Sequence, residues 1–260
     1  MSNAPPHPVG PAVAVPIGTA PEATAPSPSA GGFVPAPQVL TRERLLDGSL
    51  QRMVRALPGA TLLTDEERER SLRDTLAARP ERGRGAWLFG YGSLIWNPTV
   101  HVAERRIARV EGWRRSFCLS TPAGRGSPEN PGLVLALEPG GECTGVALRV
   151  AEEILEEELS VLWRREMLTG AYTPHWVPLL DRDGHAFGSG IAFTINPAGP
   201  QCCSGLSEAD TVRRLATARG QLGSSAEYLF NTREGLRHLG IRDPLLDRLA
   251  EQVAAAQAKA

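Results

Sequence analysis

The order of strand-like and helix-like segments after residue 85 most constrains what this chain can fold into. One acidic helix, at residues 152–167, interrupts a series of segments with strand character. These segments cover residues 86–91, 102–110, 114–120, 133–137, 144–150, 175–180 and 186–195. Helical character resumes at Ser207, and Asp243-Pro244 begins the final helix. Such an order predicts an α+β fold, with a small curved mixed β-sheet or barrel flanked by helices. The Pro-Gly-Gly stretch at residues 138–142 predicts a hairpin turn.

The first part of the chain has a different composition. Residues 1–38 hold ten of the 22 prolines and a single charged side chain, Glu22. Segments of this kind have too few large apolar side chains to form a core. We therefore predict a disordered arm over residues 1–38.

Between the arm and the strands the pattern becomes helical. A first helix is predicted from Thr41, and its apolar residues are Leu45, Leu46 and Leu50. A second helix is predicted from Thr64, which stands three residues before Glu67 as in a capping box. The predicted parts of the chain are a disordered arm at 1–38, a helical extension at 39–85 and a compact domain at 86–258.

Composition excludes several classes of function. The formal net charge of -1 produces no positive electrostatic field that would attract nucleic acid or an anionic membrane. No apolar run reaches the roughly 18 residues that span a bilayer, and the N-terminus has no signal-peptide pattern, so we predict a cytoplasmic protein. The one lysine is Lys259, near the C-terminus. This excludes a Walker phosphate loop and a lysine Schiff base.

Cysteine and histidine give no metal or cofactor signature. The four cysteines are Cys118, Cys143, Cys202 and Cys203, and none has CxxC spacing. We predict reduced thiols, with a vicinal redox pair at Cys202-Cys203 as the alternative. The five histidines lack the spacing of metal ligands. The expectation is therefore a protein with no metal and no cofactor.

Two glycines, Gly90 and Gly92, lie within the strand-like stretch FGYGSLIW at residues 89–96. Glycine weakens a strand, so this pattern predicts a close approach of the backbone to another group. Ser93 does not stand in a GxSxG nucleophile elbow, which excludes a serine hydrolase of that type. No third glycine stands at Ile95 and no βαβ unit follows, which excludes a dinucleotide-binding loop.

The helix EEILEEELSVLWRREM places one carboxylate on its apolar side. Its leucines recur at i, i+4 and i+7, and they are Leu155, Leu159 and Leu162. Position i+11 continues this stripe and is Glu166, whereas Glu157 lies on the opposite face. A carboxylate moved toward a core has a raised pKa and is a candidate proton acceptor. The alternatives are an ion pair with an arginine such as Arg114 or Arg115, or a position just beyond the buried stretch at a fraying helix end.

Five motifs in order carry a resemblance to a known family. They are FGYGSLIWNP, GWRRSFCLST, AGRGSPENPGLVLAL, LWRREMLTGAY and AEYLFNT. From about Trp87 to Leu236 the chain resembles the ChaC family of glutathione-specific γ-glutamylcyclotransferases, and its helical extension resembles the bacterial branch. The resemblance implies the γ-glutamylcyclotransferase-like fold. It also implies a lyase that cleaves glutathione, its small-molecule partner, into 5-oxoproline and Cys-Gly.

The resemblance also implies roles for particular residues. Glu166 is the implied proton acceptor, Arg115 or its neighbour Arg114 is a candidate for the substrate carboxylates, and Tyr172 and Tyr228 are candidates for contacting the substrate. The implied γ-glutamyl-binding loop comprises Gly90, Tyr91, Gly92, Ser93, Leu94 and Ile95. Gly90 and Gly92 are expected to let the main chain approach the ligand without a Cβ in the way, and Ser93 is expected to donate a hydrogen bond. The alternatives are a cyclotransferase for other γ-glutamyl amines or amino acids, and a non-catalytic γ-glutamyl-binding regulator of cation transport. The sequence names no protein partner.

Overall fold

The computed structural model describes residues 40–259 of the chain, beginning with the helical extension. The extension contains α1 (Arg42–Leu46), α2 (Ser49–Arg55) and α3 (Asp65–Ala77). The arm predicted to be disordered, residues 1–38, lies outside the described residues. The division of the chain at residues 38 and 85 stays a prediction.

The first predicted helix is two helices. Gly48 separates α1 from α2 in a left-handed conformation with φ 73°, and the Asp47 carboxylate accepts the Ser49 backbone N–H at 2.7 Å. Both residues favour a local turn over the interior of a helix. The start of α3 follows the prediction, because Thr64 and Glu67 exchange side-chain to backbone hydrogen bonds of 3.1 and 2.7 Å in a capping box.

Five strands close into a barrel. They are β1 (Ala86–Gly90), β2 (Glu104–Thr121), β3 (Gly132–Val150), β4 (Tyr172–Leu180) and β5 (Ala186–Ile195). Their order is β1-β3-β2-β4-β5, and neighbours in this order pair antiparallel. β5 closes the barrel by parallel pairing with β1 and β3. The sheet is mixed and barrel-shaped, which confirms the predicted α+β class.

The glycine-rich stretch at residues 138–142 is not a hairpin turn, and that prediction is wrong. β3 continues through it and pairs antiparallel with β2 on both sides. Gly140 and Gly141 have φ values of 97° and 72°, and Gly112 on β2 has φ 79°. The register shifts between these glycines, so their left-handed conformations form a bulge that bends both long strands. The chain reverses instead in the connection at residues 122–131.

One hydrophobic core contains the barrel interior and α4 (Leu155–Glu166), which follows a short 3₁₀ helix at Glu152–Ile154. Leu159 and Leu162 are fully buried, which confirms the predicted apolar stripe. Trp163 packs edge-on against Phe193 of β5, with ring centroids 5.3 Å apart. This packing fixes α4 against the barrel and so fixes the position of Glu166, its last residue.

The last third of the chain is helical, as predicted. It contains α5 (Glu208–Thr217), a short hairpin of β6 (Arg219–Gly220) and β7 (Gly223–Ser224), α6 (Ser225–His238) and α7 (Pro244–Gln257). Ser224 and Glu227 form a capping box at the start of α6, which places Tyr228 in its first turn. None of the helices within residues 40–259 combines the length and the apolar character that crossing a membrane requires.

Ion pairs attach the extension to α4 and to the short 3₁₀ helix before it. Arg42 of α1 donates two hydrogen bonds, of 2.7 and 2.8 Å, to the buried carboxylate of Glu158, which also accepts the backbone N–H of His101 at 2.8 Å. Near the end of the extension, Arg79 donates to Glu152 at 2.6 Å. Hydrogen bonds from Arg79 and from the backbone lower the pKa of Glu152 to about 2. The extension is therefore fixed at both of its ends.

All four cysteines are free thiols. Cys118 and Cys143 are buried, and burial raises the pKa of Cys118 to about 12. Cys202 and Cys203 are half-buried and not bonded to each other. Within residues 40–259 no two of these sulfur atoms are bonded, and the choice between idle thiols and a redox pair at Cys202-Cys203 stays a prediction.

Candidate active site

A cavity of about 410 Å³ lies where the extension meets the loop after β1, the β2–β3 connection and the end of α4. Ser93, Glu166, Tyr172 and Tyr228 line it, and they also line a second, smaller cavity that adjoins it. A cavity of this volume is typical of small-molecule sites. Elements that are far apart in the sequence therefore meet at one concave site.

Glu166 is the carboxylate of this site. Its side chain is only 11% exposed, and its Oε1 lies 2.9 Å from the Nε of Arg165. Burial raises the pKa of Glu166, while the positive charge of Arg165 opposes that shift. The alternative interpretation of the sequence, an ion pair with an arginine, therefore holds for Arg165. Within residues 40–259 neither Arg114 nor Arg115 pairs with Glu166. A nearly buried carboxylate of raised pKa that faces a cavity is suited to accept a proton.

Arg165 connects the carboxylate with the loop after β1. Its Nη2 donates to Ser93 Oγ at 2.6 Å, and its Nη1 donates to the carbonyl of Asn97 at 2.5 Å and to Thr99 Oγ1 at 3.2 Å. Ser93 accepts this bond through its oxygen, so its own hydroxyl hydrogen is available to a ligand. One guanidinium thus sets both the charge beside Glu166 and the position of Ser93.

The loop after β1 contains backbone N–H groups without a protein acceptor. The chain turns at Gly92, with φ -134° and ψ -129°, into a 3₁₀ helix at Ser93–Ile95. Within residues 40–259, no protein acceptor binds the backbone N–H of Gly92 or Leu94. The first N–H groups of a helix lack intrahelical partners and are therefore available to an anionic oxygen.

The three tyrosines of the chain all lie around Glu166. The hydroxyl of Tyr91 donates to the carbonyl of Phe193, that of Tyr172 donates to the carbonyl of Leu135 at 3.0 Å, and that of Tyr228 accepts the Leu135 N–H at 3.4 Å. Burial raises the pKa of each phenol, and the neighbouring Glu166 raises it further. All three are therefore neutral hydroxyl groups at physiological pH.

The two glycines of the loop lie close to side chains of the protein that a Cβ would contact. A Cβ at Gly92 would lie 2.6 Å from the hydroxyl of Tyr228, and a Cβ at Gly90 would lie 3.1 Å from Val146 Cγ1. The close approach predicted from the sequence exists, but the approaching groups are side chains of the protein. Gly90 and Ile95 line neither cavity, whereas Tyr91, Gly92, Ser93 and Leu94 line the smaller one.

Arg115 is not placed to bind a substrate carboxylate. Its side chain is buried and donates to the carbonyls of Tyr91 and Thr144, at 2.6 and 2.7 Å, and to the carboxylate of Asp243. It lines neither of these cavities. Its neighbour Arg114 is exposed and donates to Pro139 and Glu138. Arg115 therefore holds α7 and the barrel together, and the sequence pattern alone does not distinguish that role from binding.

Two other arginines line the cavity, Arg125 and Arg165. Arg125 stacks over the ring of Trp96 at 5.9 Å, and its Nη1 donates to the carbonyl of Ser224 at 3.3 Å. The sequence signals were present, since Arg125 stands in the glycine-rich motif AGRGSPENPG and Arg165 directly precedes Glu166. Neither was predicted to bind the substrate, because both lie outside the strand that carries the predicted candidates Arg114 and Arg115.

A possible metal site lies elsewhere. Within residues 40–259, the side chains close enough to share an ion are Asp181, Asp183 and His185, in the turn between β4 and β5. Asp183 and His185 are exposed, and none of the three lines the cavity.

Comparisons with known proteins identify the family of the chain. A family model described as ChaC-like protein matches residues 86–256. The glutathione-specific gamma-glutamylcyclotransferase of Escherichia coli (strain K12) is 41% identical over 215 residues, which cover 83% of this chain and 92% of that protein. Gamma-glutamylcyclotransferase 2-3 of Arabidopsis thaliana is 31% identical over 64% of this chain and 87% of its own length.

A solved structure shares the fold. It is a glutathione-specific gamma-glutamyl cyclotransferase from yeast, with a TM-score of 0.60 and 23% identity over 66% of this chain and 97% of that chain. At this identity the likeness concerns the fold alone. The match of the family model over most of the chain, together with the E. coli relative, shows that the chain belongs to the ChaC family.

Proposed function

We propose that this protein is a cytoplasmic cyclotransferase that cleaves glutathione into 5-oxo-L-proline and Cys-Gly. The observation that carries the proposal is Glu166, a nearly buried carboxylate of raised pKa beside a glycine-containing loop. The relatives named as glutathione-specific enzymes support the choice of substrate. The near-neutral charge supports a small molecule, and not a nucleic acid, as the partner.

The substrate supplies its own nucleophile. The α-amine of the glutamyl group attacks the γ-carbonyl, a C–N bond closes the five-membered ring, and the C–N bond to cysteine breaks. Holding the glutamyl chain folded back gives the rate advantage of intramolecular attack. In the proposed reaction Glu166 takes a proton from the amine and returns it to the departing nitrogen, so no water is consumed.

The transition state places negative charge on the γ-carbonyl oxygen. The free N–H groups of Gly92 and Leu94 and the hydroxyl of Ser93 are the proposed donors to this oxygen. Tyr172 and Tyr228, whose hydroxyls are neutral, also line this part of the cavity. At its wider part, Arg125 is the proposed partner of the glycine carboxylate.

A direct assay tests the proposal. Purified protein is incubated with glutathione, and 5-oxoproline and Cys-Gly are detected by mass spectrometry beside a panel of γ-glutamyl amino acids. Products from glutathione alone are expected. Products mainly from the panel would indicate a broader cyclotransferase, and no product from any substrate would overturn the proposal.

Replacement of Gly92 by alanine is expected to lower kcat/KM by about 100-fold, because a misplacement of 1 Å in a reacting geometry has an effect of that size. The new Cβ would lie 2.6 Å from the hydroxyl of Tyr228, so either the loop or the tyrosine must move. Gly188→Ala is the control, since its Cβ meets Trp87 at an ordinary 3.5 Å. Equal kcat/KM values for the two variants would contradict this role of Gly92.

The pH dependence of kcat/KM should follow the ionisation of the Glu166 carboxyl group. The base must be ionised, so kcat/KM rises with pH through the Glu166 pKa, which burial raises above its ordinary value. Arg165→Met removes the charge that opposes this shift, so the acidic limb should move to higher pH. Arg164→Met, at an exposed neighbouring position, should leave the limb in place. An unmoved limb in Arg165→Met would contradict the assignment of the base.

A further inference from the structure

We propose that the helical extension forms a binding surface for an apolar group carried on the sulfur of the substrate. The protein would then cleave S-alkyl and other S-substituted glutathiones as well as glutathione. This inference rests on the proposed function, because it assigns the part of the cavity that lies beyond the γ-glutamyl group.

An apolar wall lines the cavity. We define it by residues from α2 and its C-terminal loop, from the β2–β3 connection and from the β6–β7 turn. These residues are Met53, Val54, Leu57, Ala123 and Leu222. The polar residues Ser93, Arg165 and Glu166 belong to the same cavity. A molecule that fits the whole cavity therefore has a polar part and an apolar part.

Reduced glutathione does not match this wall. Beyond its glutamyl group it offers two amides, a terminal carboxylate and a thiol on a single methylene. Polar residues of the same cavity are available to the amides and the carboxylate, among them Arg125, Ser120, Thr121, Thr169 and Gln201. Apolar surface lowers the free energy only when it covers apolar surface of the ligand. An alkyl or aryl group on sulfur is the substituent that would do so.

The apolar wall is held in place by the rest of the protein. Leu50 and Val54 of α2 are buried in one cluster with Leu168, directly after α4. The N–H of Leu222 donates to the carbonyl of Gly124 at 2.7 Å, which fixes the β6–β7 turn against the β2–β3 connection. A preformed surface binds a ligand without the cost of ordering it first.

The position of the apolar wall suits a group on sulfur. Glu166 and Arg125 line the same cavity as the wall, and in the proposed reaction they contact the two ends of the tripeptide. The cysteine side chain lies between those ends. The reaction is the same as with glutathione: the α-amine bonds to the γ-carbon, the C–N bond to cysteine breaks, and the thioether passes unchanged into an S-substituted Cys-Gly.

The test is a homologous series of S-methyl, S-propyl and S-hexyl glutathione, with glutathione as reference. KM should fall along the series, by about fourfold for each methylene that becomes fully buried. Cleavage of glutathione without binding of any S-alkyl compound would overturn the inference and leave the proposed function intact. A KM that does not depend on chain length would also overturn it. If no compound is cleaved, including glutathione, the proposed function itself fails.

Substitutions in the apolar wall test whether the group on sulfur binds there. Met53→Gln and Leu57→Asn keep nearly the same side-chain size and place an amide in the apolar wall, so the dependence of KM on chain length should become weaker in each. Leu46→Asn is the control, because Leu46 is 51% exposed on α1 and does not line the cavity. Loss of the dependence in the control, or its full retention in both wall variants, would refute the assignment. A melting temperature measured for each variant checks that it is folded.

Discussion

Glu166→Gln is expected to lower kcat for glutathione cleavage by about 10²- to 10⁴-fold, the usual contribution of a general base. The amide has nearly the shape of the carboxylate but does not accept the proton. The variant should also be at least as stable as the wild type at neutral pH, because burial raises the pKa of Glu166 and its ionised form is disfavoured in the folded protein. Kinetics and thermal unfolding together measure both effects.

Glu157→Gln is the matched control. Glu157 lies on the same helix, with its side chain 74% exposed, so its replacement should change neither kcat nor the melting temperature. If Glu166→Gln retained full activity, the assignment of the base would be wrong. If Glu166→Gln were inactive but also unfolded, Glu166→Asp, which keeps the charge one methylene further away, would decide whether chemistry or folding was lost.

Arg42→Ala is expected to lower the free energy of unfolding by about 3–5 kcal/mol, the usual effect of removing one partner of a buried ion pair. The side chain of Glu158 is only 2% exposed, and Arg42 makes two hydrogen bonds to it. Burial opposes the ionisation of Glu158, yet hydrogen bonds from Arg42 and from the N–H of His101 hold its pKa below the ordinary value. Without Arg42 the buried carboxylate loses its guanidinium partner and keeps the backbone N–H of His101 and the imidazole of that residue, whose Nε2 is 4.0 Å away.

The effect of Arg42→Ala should depend on pH. Because the folded pKa of Glu158 is lowered, its stabilising contribution is complete above the unfolded pKa and is lost as the pH falls through the folded pKa. The difference between wild type and variant should therefore be large at pH 7 and shrink in acid. Glu157→Ala is the control, since Glu157 is exposed and 3.7 Å from Arg42, and exposed pairs contribute about 0–1 kcal/mol. Equal losses in urea unfolding would contradict the account.

Local patterns of the sequence were sufficient for much of the fold and for part of the site. The capping box at Thr64, the apolar stripe of α4 and the Asp243-Pro244 start of α7 depend on residues a few positions apart. Glu166 was predicted for the same reason, because helical periodicity alone places it on the stripe. Its family motif and its periodicity point to the same residue.

Features that depend on distant parts of the chain were not predictable in this way. The glycines at residues 138–142 fit a turn equally well, and only their pairing with β2 makes them a bulge. Arg115 has a side chain suited to binding a carboxylate, yet its guanidinium donates a hydrogen bond to the carboxylate of Asp243, far along the chain. The apolar wall joins α2 to the β6–β7 turn, and no short-range pattern connects those two segments.

The most direct test of the central claim is cleavage of glutathione in water enriched in oxygen-18. Intramolecular attack predicts 5-oxoproline and Cys-Gly in equal amounts, with no heavy oxygen in either product. Hydrolysis would instead give glutamate that carries the label, and that result, or the absence of any product, would contradict the account.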